Sequence, residues 1–212
     1  PDERQLGVIL MDIGGGTTDI AVYNEGSIRH TSVLPLGGDH VTNDIAVGLR
    51  TPIAEAERLK IKYGYALASK VSPDEQIEVP SIGGDNASTV PRRILSEIIE
   101  SRMEELFKLA YSEVRNSGLS EKMAGGLVLT GGASCLDGVA LLAEGIMHLP
   151  VRIGVPRGVK GLMELVNNPA YATAVGLCLY DADKPGLTYR SPGMNTFEKL
   201  LERMLRWFKE VF

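Results

Sequence analysis

The sequence has no run of eighteen consecutive apolar residues, and it therefore predicts no membrane-spanning helix. It also lacks an excess of positive charge: the net charge is −5, which disfavours nucleic acid as a partner. Cysteine and histidine are scarce, with two and three residues, and neither set has metal-ligand spacing. We expect Cys135 and Cys178 to be buried, reduced thiols of a cytosolic protein rather than a disulfide.

What is present has the composition of a folded, soluble protein, with 44% hydrophobic and 23% charged residues. A chain of 212 residues is long enough for one large or two small globular units. It starts at Pro1 instead of methionine, and we expect it to run straight into a core strand. We therefore expect it to be a fragment whose N-terminal part is absent.

A glycine-rich stretch lies between two apolar runs, at residues 8–11 and 20–23, which both predict short β-strands. Glycines at such a turn allow the backbone to approach a ligand, and successive N–H groups form a cradle for phosphate. A carboxylate at the strand end can hold hydrated Mg²⁺, and hydroxyl groups can donate to phosphate oxygens. A plain glycine-rich hairpin turn remains the alternative. The candidate residues are Asp12, Gly14, Gly15, Gly16, Thr17 and Thr18.

Two further motifs lie downstream. Glu57 and Lys60 are three residues apart on a predicted helix and so share one of its faces. An exposed helix ion pair is the simpler interpretation of these two side chains. Gly131, Gly132 and Ala133 follow a continuous apolar strand and precede a helix, which an ordinary strand-to-helix turn also explains.

The order of predicted elements suggests one mixed sheet with helices on its faces. A turn-forming cluster at 83–86 predicts a small hairpin, and a long amphipathic helix follows it. The predicted strands are 8–11, 20–23, 27–34, 76–82, 88–91, 126–130 and 151–154, and the main predicted helices are 51–64, 92–116, 136–147 and 170–180. The run 37–39 also starts a predicted helix, with apolar residues at Val41, Ile45, Val47 and Leu49.

The three motifs together resemble the C-terminal half of the actin-like ATPases, the superfamily of actin, the heat-shock chaperone ATPases and the sugar kinases. Residues 170–177 also resemble the small-residue helix that closes this fold. The run at 36–46, followed by 49–52 and 60–64, is most similar to the bacterial cell-division members. The resemblance covers essentially the whole chain. It implies an actin-like (ribonuclease H-like) α/β fold: a mixed sheet with helices on both faces and a small inserted α+β subdomain.

The resemblance also implies ATP and Mg²⁺ as ligands. Asp12 would hold Mg²⁺ through water and help to orient the attacking water. Glu57 and Lys60 would close over the nucleoside. The backbone residues expected at the phosphates are Gly14, Gly15, Gly16 and Thr17, with Thr18 beside them, and those expected at the α-phosphate and ribose are Gly131, Gly132 and Ala133. No strong general base is apparent, and we expect slow ATP hydrolysis at most.

We expect four parts along the chain. Residues 1–50 and 117–180 form the nucleotide-binding core, and residues 51–116 form the inserted subdomain for nucleoside and partner contacts. Residues 181–195 are polar, contain prolines and glycines, and predict a flexible linker. Residues 196–212 form a C-terminal amphipathic helix.

This last segment carries its apolar side chains on one face at helical spacing and all its charges on the other. An amphipathic helix with aromatic residues behind a tether is typical of an in-plane membrane anchor. A helix that packs on the protein itself or in a partner's groove is the alternative. The predicted membrane-facing residues are Phe197, Leu200, Leu201, Met204, Leu205, Trp207, Phe208 and Val211.

The resemblance further implies partners and a place of action. The inserted subdomain would receive the C-terminal peptide of the tubulin-like division protein FtsZ, and Arg92, Arg93 and Arg102 could bind its acidic side chains. Solvated helix arginines are the simpler interpretation. Self-association into filaments and contacts with other division proteins are expected, at the midcell on the cytoplasmic face of the bacterial membrane. A rod-shape or pilus-assembly protein, a chaperone ATPase and a small-molecule kinase are the alternatives.

Overall fold

The computed structural model describes residues 2–82, 87–120, 123–157 and 166–182. Residues 181 and 182 are described by their backbone only. Residues 1–176 form one compact unit, and residues 177–212 form a second. The predicted membrane helix and all but the first two residues of the predicted linker lie outside the described residues. Within the described ranges, no helix combines the length and apolar character needed to cross a bilayer.

Groups of one to three strands alternate with one or two helices along the described chain. The described strands are β1 (Val8–Ile13), β2 (Thr18–Asn24), β3 (Ser27–Leu34), β4 (Gln76–Pro80), β5 (Ala87–Pro91), β6 (Leu127–Thr130) and β7 (Val151–Ile153). The described helices are α1 (Asp2–Leu6), α2 (Gly38–Leu49), α3 (Ile53–Tyr63), α4 (Arg92–Asn116), α5 (Val139–Met147) and α6 (Ala172–Ala182). Short 3₁₀ turns precede α5 and α6, at Gly132–Cys135 and Pro169–Tyr171.

Five strands form one mixed sheet in the order β3-β2-β1-β6-β7. β1, β2 and β3 form an antiparallel meander. β6 pairs with β1 in parallel, and β7 pairs with β6 in parallel. Asp12 is aligned with Asp19 on one side and with Thr130 on the other. The carboxyl ends of β1 and β6 therefore lie at the same edge of the sheet, where α/β proteins commonly bind their ligands.

The core lies between this sheet and the long helix α4, which contacts both α2 and α5. Apolar side chains at three- and four-residue spacing give α4 one fully buried face, as the sequence predicts. Each such side chain contributes about 1.5–3 kcal/mol on full burial. Alternation along β1 turns Leu10 and Asp12 to the opposite face. The buried residues of β1 and α4 include Ile9, Met11, Ile13, Leu95, Ile99, Met103, Leu106 and Phe107.

The predicted hairpin is a separate two-stranded sheet of β4 and β5, within the first compact unit. The predicted bounds of α4 are confirmed, and the strand and helix order is confirmed as a whole. Two expectations are wrong. Both cysteines are exposed instead of buried. A short helix, α1, precedes the first strand, and a five-residue helix is too short to show the periodicity on which sequence prediction depends.

Candidate functional site

Two of the three predicted motifs meet at the carboxyl ends of β1 and β6. Gly131 lies directly against the end of β1: a Cβ at this position would be 2.3 Å from Oδ1 of Asp12 and 2.5 Å from the carbonyl oxygen of Ile13. Its backbone has φ +86° and ψ 165°, a conformation that is essentially restricted to glycine. Close packing and backbone conformation therefore both require glycine here. Neither requirement is visible in the sequence.

The glycine-rich loop between β1 and β2 is closed by a hydrogen bond from the amide of Gly14 to the carbonyl of Thr17, at 2.9 Å. Gly15, Gly16 and Thr17 are exposed. Within the described part of the chain, the N–H groups of Gly15 and Gly16 have no acceptor, and a Cβ at Gly16 would meet nothing within 4 Å. The loop therefore presents open amide donors, which is the arrangement that binds anions.

The start of α2 supports this loop. The amides of Gly38 and Asp39 donate to the carbonyls of Gly14 and Gly15, each at 2.9 Å. A Cβ at Gly37 would be only 2.4 Å from the carbonyl oxygen of Gly15. The sequence indicates the glycines of this run only as a helix start. Their role in supporting the glycine-rich loop depends on a contact between segments that are more than twenty residues apart in the sequence.

The third motif, on α3, reaches the same place. Lys60 Nζ lies 2.7 Å from a carboxylate oxygen of Glu57, and it donates to the carbonyl of Gly38 at 3.0 Å and to the hydroxyl of Thr42 at 2.8 Å. The Thr42 hydroxyl hydrogen-bonds Glu57. Only 14% of the Lys60 side chain is exposed, so this is not a solvated helix ion pair. The contacts of Lys60 attach α3 to the start of α2, which supports the glycine-rich loop.

The pKa of Glu57 reflects this network. Partial burial raises the pKa of the carboxyl group, but the hydrogen bonds from Lys60 and Thr42 and the charge of Lys60 outweigh burial. The net pKa lies below its usual value, and Glu57 is an anion at neutral pH.

Ala133, in the turn that follows β6, lies next to Gly38 of this network. A Cβ at Gly38 would be 3.3 Å from Cβ of Ala133 and 3.5 Å from Nζ of Lys60. The hydroxyl of Ser134 donates to the carbonyl of Gly131 at 2.7 Å and holds the 3₁₀ turn after β6. All three motifs therefore converge on one site at the edge of the sheet.

One predicted residue has another role. Thr18 is fully buried, and its hydroxyl donates to the carbonyl of Leu36 at 2.7 Å. Its side chain therefore stabilises the connection from β3 to α2 instead of facing the loop, because strand alternation turns it inward.

The structure also adds residues that the motifs do not assign. Asp19 is exposed and aligned with Asp12, which places a second carboxylate on the same face of the sheet. Thr173, on α6, donates its hydroxyl hydrogen to Oδ2 of Asp12 at 2.5 Å. Only the strand register could have indicated Asp19 from the sequence, and nothing local indicates Thr173.

The residues present fit a Mg²⁺ ion carried by a nucleotide. In the described residues, no group of three or more acidic, histidine or cysteine side chains forms a metal-binding cluster. Mg²⁺ does not need one, because it keeps several waters and is commonly held by one or two carboxylates together with substrate phosphates. Asp12 supplies such a carboxylate, and the open backbone amides beside it suit the phosphates that would carry the ion.

The three arginines predicted as a partner surface do not form one patch. Arg93 and Arg102 are nine residues apart, which places them on opposite sides of α4 at about 100° per residue. Arg102 is half-buried and donates to both carboxylate oxygens of Asp44 on α2. Arg92 donates to the carbonyl of Tyr63 at 2.8 Å and so ties α4 to the end of α3. Two of the three arginines therefore hold helices together.

Comparison with known proteins identifies relatives. The family model of cell division protein FtsA matches residues 9–176. A cell division protein FtsA from Pseudomonas aeruginosa is 48% identical over 223 residues, covering 100% of this chain and 52% of the relative. The chain thus spans about half the length of the curated relatives it matches.

Solved structures confirm the actin-like fold. MreB5 of Spiroplasma citri bound to ADP has a TM-score of 0.67 and 18% identity, covering 86% of this chain and 56% of that protein. A MamK double helical filament has a TM-score of 0.61 and 19% identity, covering 84% of this chain and 55% of that protein. Identity at this level supports the fold alone.

Proposed function

Because this chain belongs to the family of cell division protein FtsA, we propose that it is part of an ATP-binding, actin-like protein that polymerises and anchors the FtsZ ring to the cytoplasmic membrane. ATP and Mg²⁺ are held at the edge of the sheet where β1 and β6 end. The bacterial cytoplasmic membrane at midcell is the place of action.

The observation that carries this proposal is the convergence of three separated motifs on one site. Open amides at Gly15 and Gly16 suit the β- and γ-phosphates. Gly131 and Gly132 allow the backbone to approach the α-phosphate and ribose, and Ala133 adjoins them. Glu57 and Lys60, already ordered by Thr42, would flank the nucleoside. Mg²⁺, when bound, would neutralise phosphate charge, and Asp12 would hold it through water.

Replacing Asp12 with asparagine is expected to weaken ATP binding in the presence of Mg²⁺ by about 10- to 100-fold, since outer ligands of a metal commonly contribute this much. The substitution keeps the shape of the side chain and removes its charge. Titration of the complete protein with a fluorescent ATP analogue, with Mg²⁺ and with EDTA, measures the effect.

Asp74→Asn is the matched control, because Asp74 is exposed and lies in the segment before β4, away from the converging motifs. It should bind ATP as the unaltered protein does. Equal Mg²⁺-dependent affinity in the Asp12 and Asp74 variants would contradict the site.

Self-association is the second part of the proposal. The fold is shared with MamK, whose solved form is a double helical filament. A filament would also place many copies of the C-terminal segment side by side, so that weak attachment of each copy becomes firm through avidity.

Arg93 is the best placed of the three arginines to contact the FtsZ C-terminal peptide. Among the residues that the structure describes, its guanidinium pairs only with Glu97, one turn along the same helix, and half of its side chain is exposed. An exposed pair of this kind contributes little to stability and can exchange its partner for an acidic peptide side chain.

Arg93→Glu is expected to weaken binding of that peptide by about tenfold, because charge reversal replaces attraction by repulsion. Fluorescence anisotropy of a labelled FtsZ peptide measures the affinity. Arg29→Glu is the matched control, because Arg29, on β3, forms the same kind of exposed pair with Glu25. An unchanged affinity for the Arg93 variant would remove this residue from the partner surface.

A further inference from the structure

The carboxylate of Asp12 receives a hydrogen bond from a residue 161 positions away in the sequence. Thr173 Oγ1 donates to Asp12 Oδ2 at 2.5 Å. Thr173 belongs to the first turn of α6, and Asp12 is the next-to-last residue of β1. No motif assigns a role to this threonine.

The position of Thr173 is set by the same corner of the sheet that adjoins Asp12. The 3₁₀ turn before α6 accepts two hydrogen bonds at the carbonyl of Pro169, from the Gly131 amide at 3.1 Å and from the Thr130 hydroxyl at 3.3 Å. Asn168 accepts from the amide of Ala170 at 2.8 Å and orders the turn from the other side. The start of α6 is therefore attached to the end of β6.

The two oxygens of the Asp12 carboxylate have different neighbours. Oδ2 accepts the Thr173 hydroxyl, whereas Oδ1 faces the Cα of Gly131, at a distance that leaves no room for a side chain. A hydrogen bond on one oxygen and close packing on the other fix the plane of the carboxylate. Carboxylates that serve metals are commonly oriented by such outer hydrogen bonds.

Threonine is suited to this task. Its β-branched side chain has few rotamers, so the hydroxyl stays directed at its acceptor. Valine has nearly the same shape but no donor, and serine keeps the donor with more rotational freedom. The two substitutions therefore separate the hydrogen bond from the packing of the side chain.

We propose that Thr173 is a positioning residue that holds the carboxylate of Asp12 in the orientation needed for hydrated Mg²⁺. This inference rests on the proposed ATP and Mg²⁺ site. It assigns to α6 an indirect part in metal binding, through Asp12, that does not require contact between α6 and the nucleotide.

The test is the gain in ATP affinity that Mg²⁺ produces in the complete protein. A fluorescent ATP analogue is titrated with EDTA and with increasing MgCl₂, and the ratio of the two Kd values is the readout. Thr173→Val is expected to reduce this ratio by about tenfold and to leave the Kd in EDTA unchanged. Thr173→Ser is expected to retain most of the ratio. In an Asp12→Asn background, Thr173→Val should have no further effect.

The outcomes separate this inference from the proposed function. If the unaltered protein shows no Mg²⁺-dependent gain, the proposed site itself fails. If it shows the gain and Thr173→Val keeps it, the site stands and the role of Thr173 is overturned. A loss of affinity that is equal with EDTA and with Mg²⁺, or a loss in Thr173→Ser as large as in Thr173→Val, also overturns it, because both indicate a packing role.

Discussion

Replacing Gly131 with alanine is expected to lower the free energy of unfolding by about 2–6 kcal/mol. The backbone conformation at this position costs about 1–3 kcal/mol for a residue with a side chain. The new methyl group would lie 2.3 Å from Oδ1 of Asp12 and 2.5 Å from the carbonyl oxygen of Ile13, and forcing atoms apart in a packed region costs about 1–3 kcal/mol more. The substitution should also displace Asp12 and so reduce ATP binding.

Urea unfolding of the complete protein, followed by circular dichroism, measures this loss. Gly145→Ala is the control: Gly145 lies in α5, and a Cβ there would meet nothing within 4 Å. Alanine at a helix position is preferred over glycine by about 1 kcal/mol, so the control should be as stable as the unaltered protein or slightly more so. Similar unfolding midpoints for the two variants would refute the close packing of Gly131 against β1.

Removing residues 196–212 is expected to abolish binding to lipid vesicles. In a helix, the sequence of this segment would place its apolar side chains on one face and its charged residues on the other. Burial of a large apolar side chain contributes about 1.5–3 kcal/mol, so even partial insertion of several such side chains corresponds to at least about a hundredfold in affinity. Co-sedimentation of the complete and shortened proteins with vesicles of bacterial lipids measures the difference.

Point substitutions on the apolar and the charged face of the predicted helix test which face binds the membrane. Phe208→Asp introduces a charge on the apolar face and should reproduce most of the loss. Glu202→Gln changes the charged face and should leave pelleting intact, because binding depends mainly on apolar burial. Equal pelleting with and without the segment would favour the other actin-like proteins considered as alternatives.

The sequence by itself determined which local structures form. The strands around the glycine loop, the helix α4 and the hairpin of β4 and β5 follow from periodicity and turn residues, which depend on neighbours a few positions away. The three motifs predicted the actin-like superfamily, and the runs at 36–46, 49–52 and 60–64 predicted its cell-division members, which the family model confirms. The sequence alone therefore indicates Asp12, the glycines and the pair of Glu57 and Lys60 as candidates.

The tertiary structure decided which candidates meet and what each side chain does. Strand register turns Thr18 inward, and the packing of α2 against the loop lets Gly38 support it. Helix rotation places Arg93 and Arg102 on opposite sides of α4. The bond from Thr173 to Asp12 joins two ends of the unit, and no pattern within a sequence window contains it. The physical reason is that hydrogen bonds and close packing act over a few ångströms in space, whereas propensity and periodicity act over a few residues along the chain.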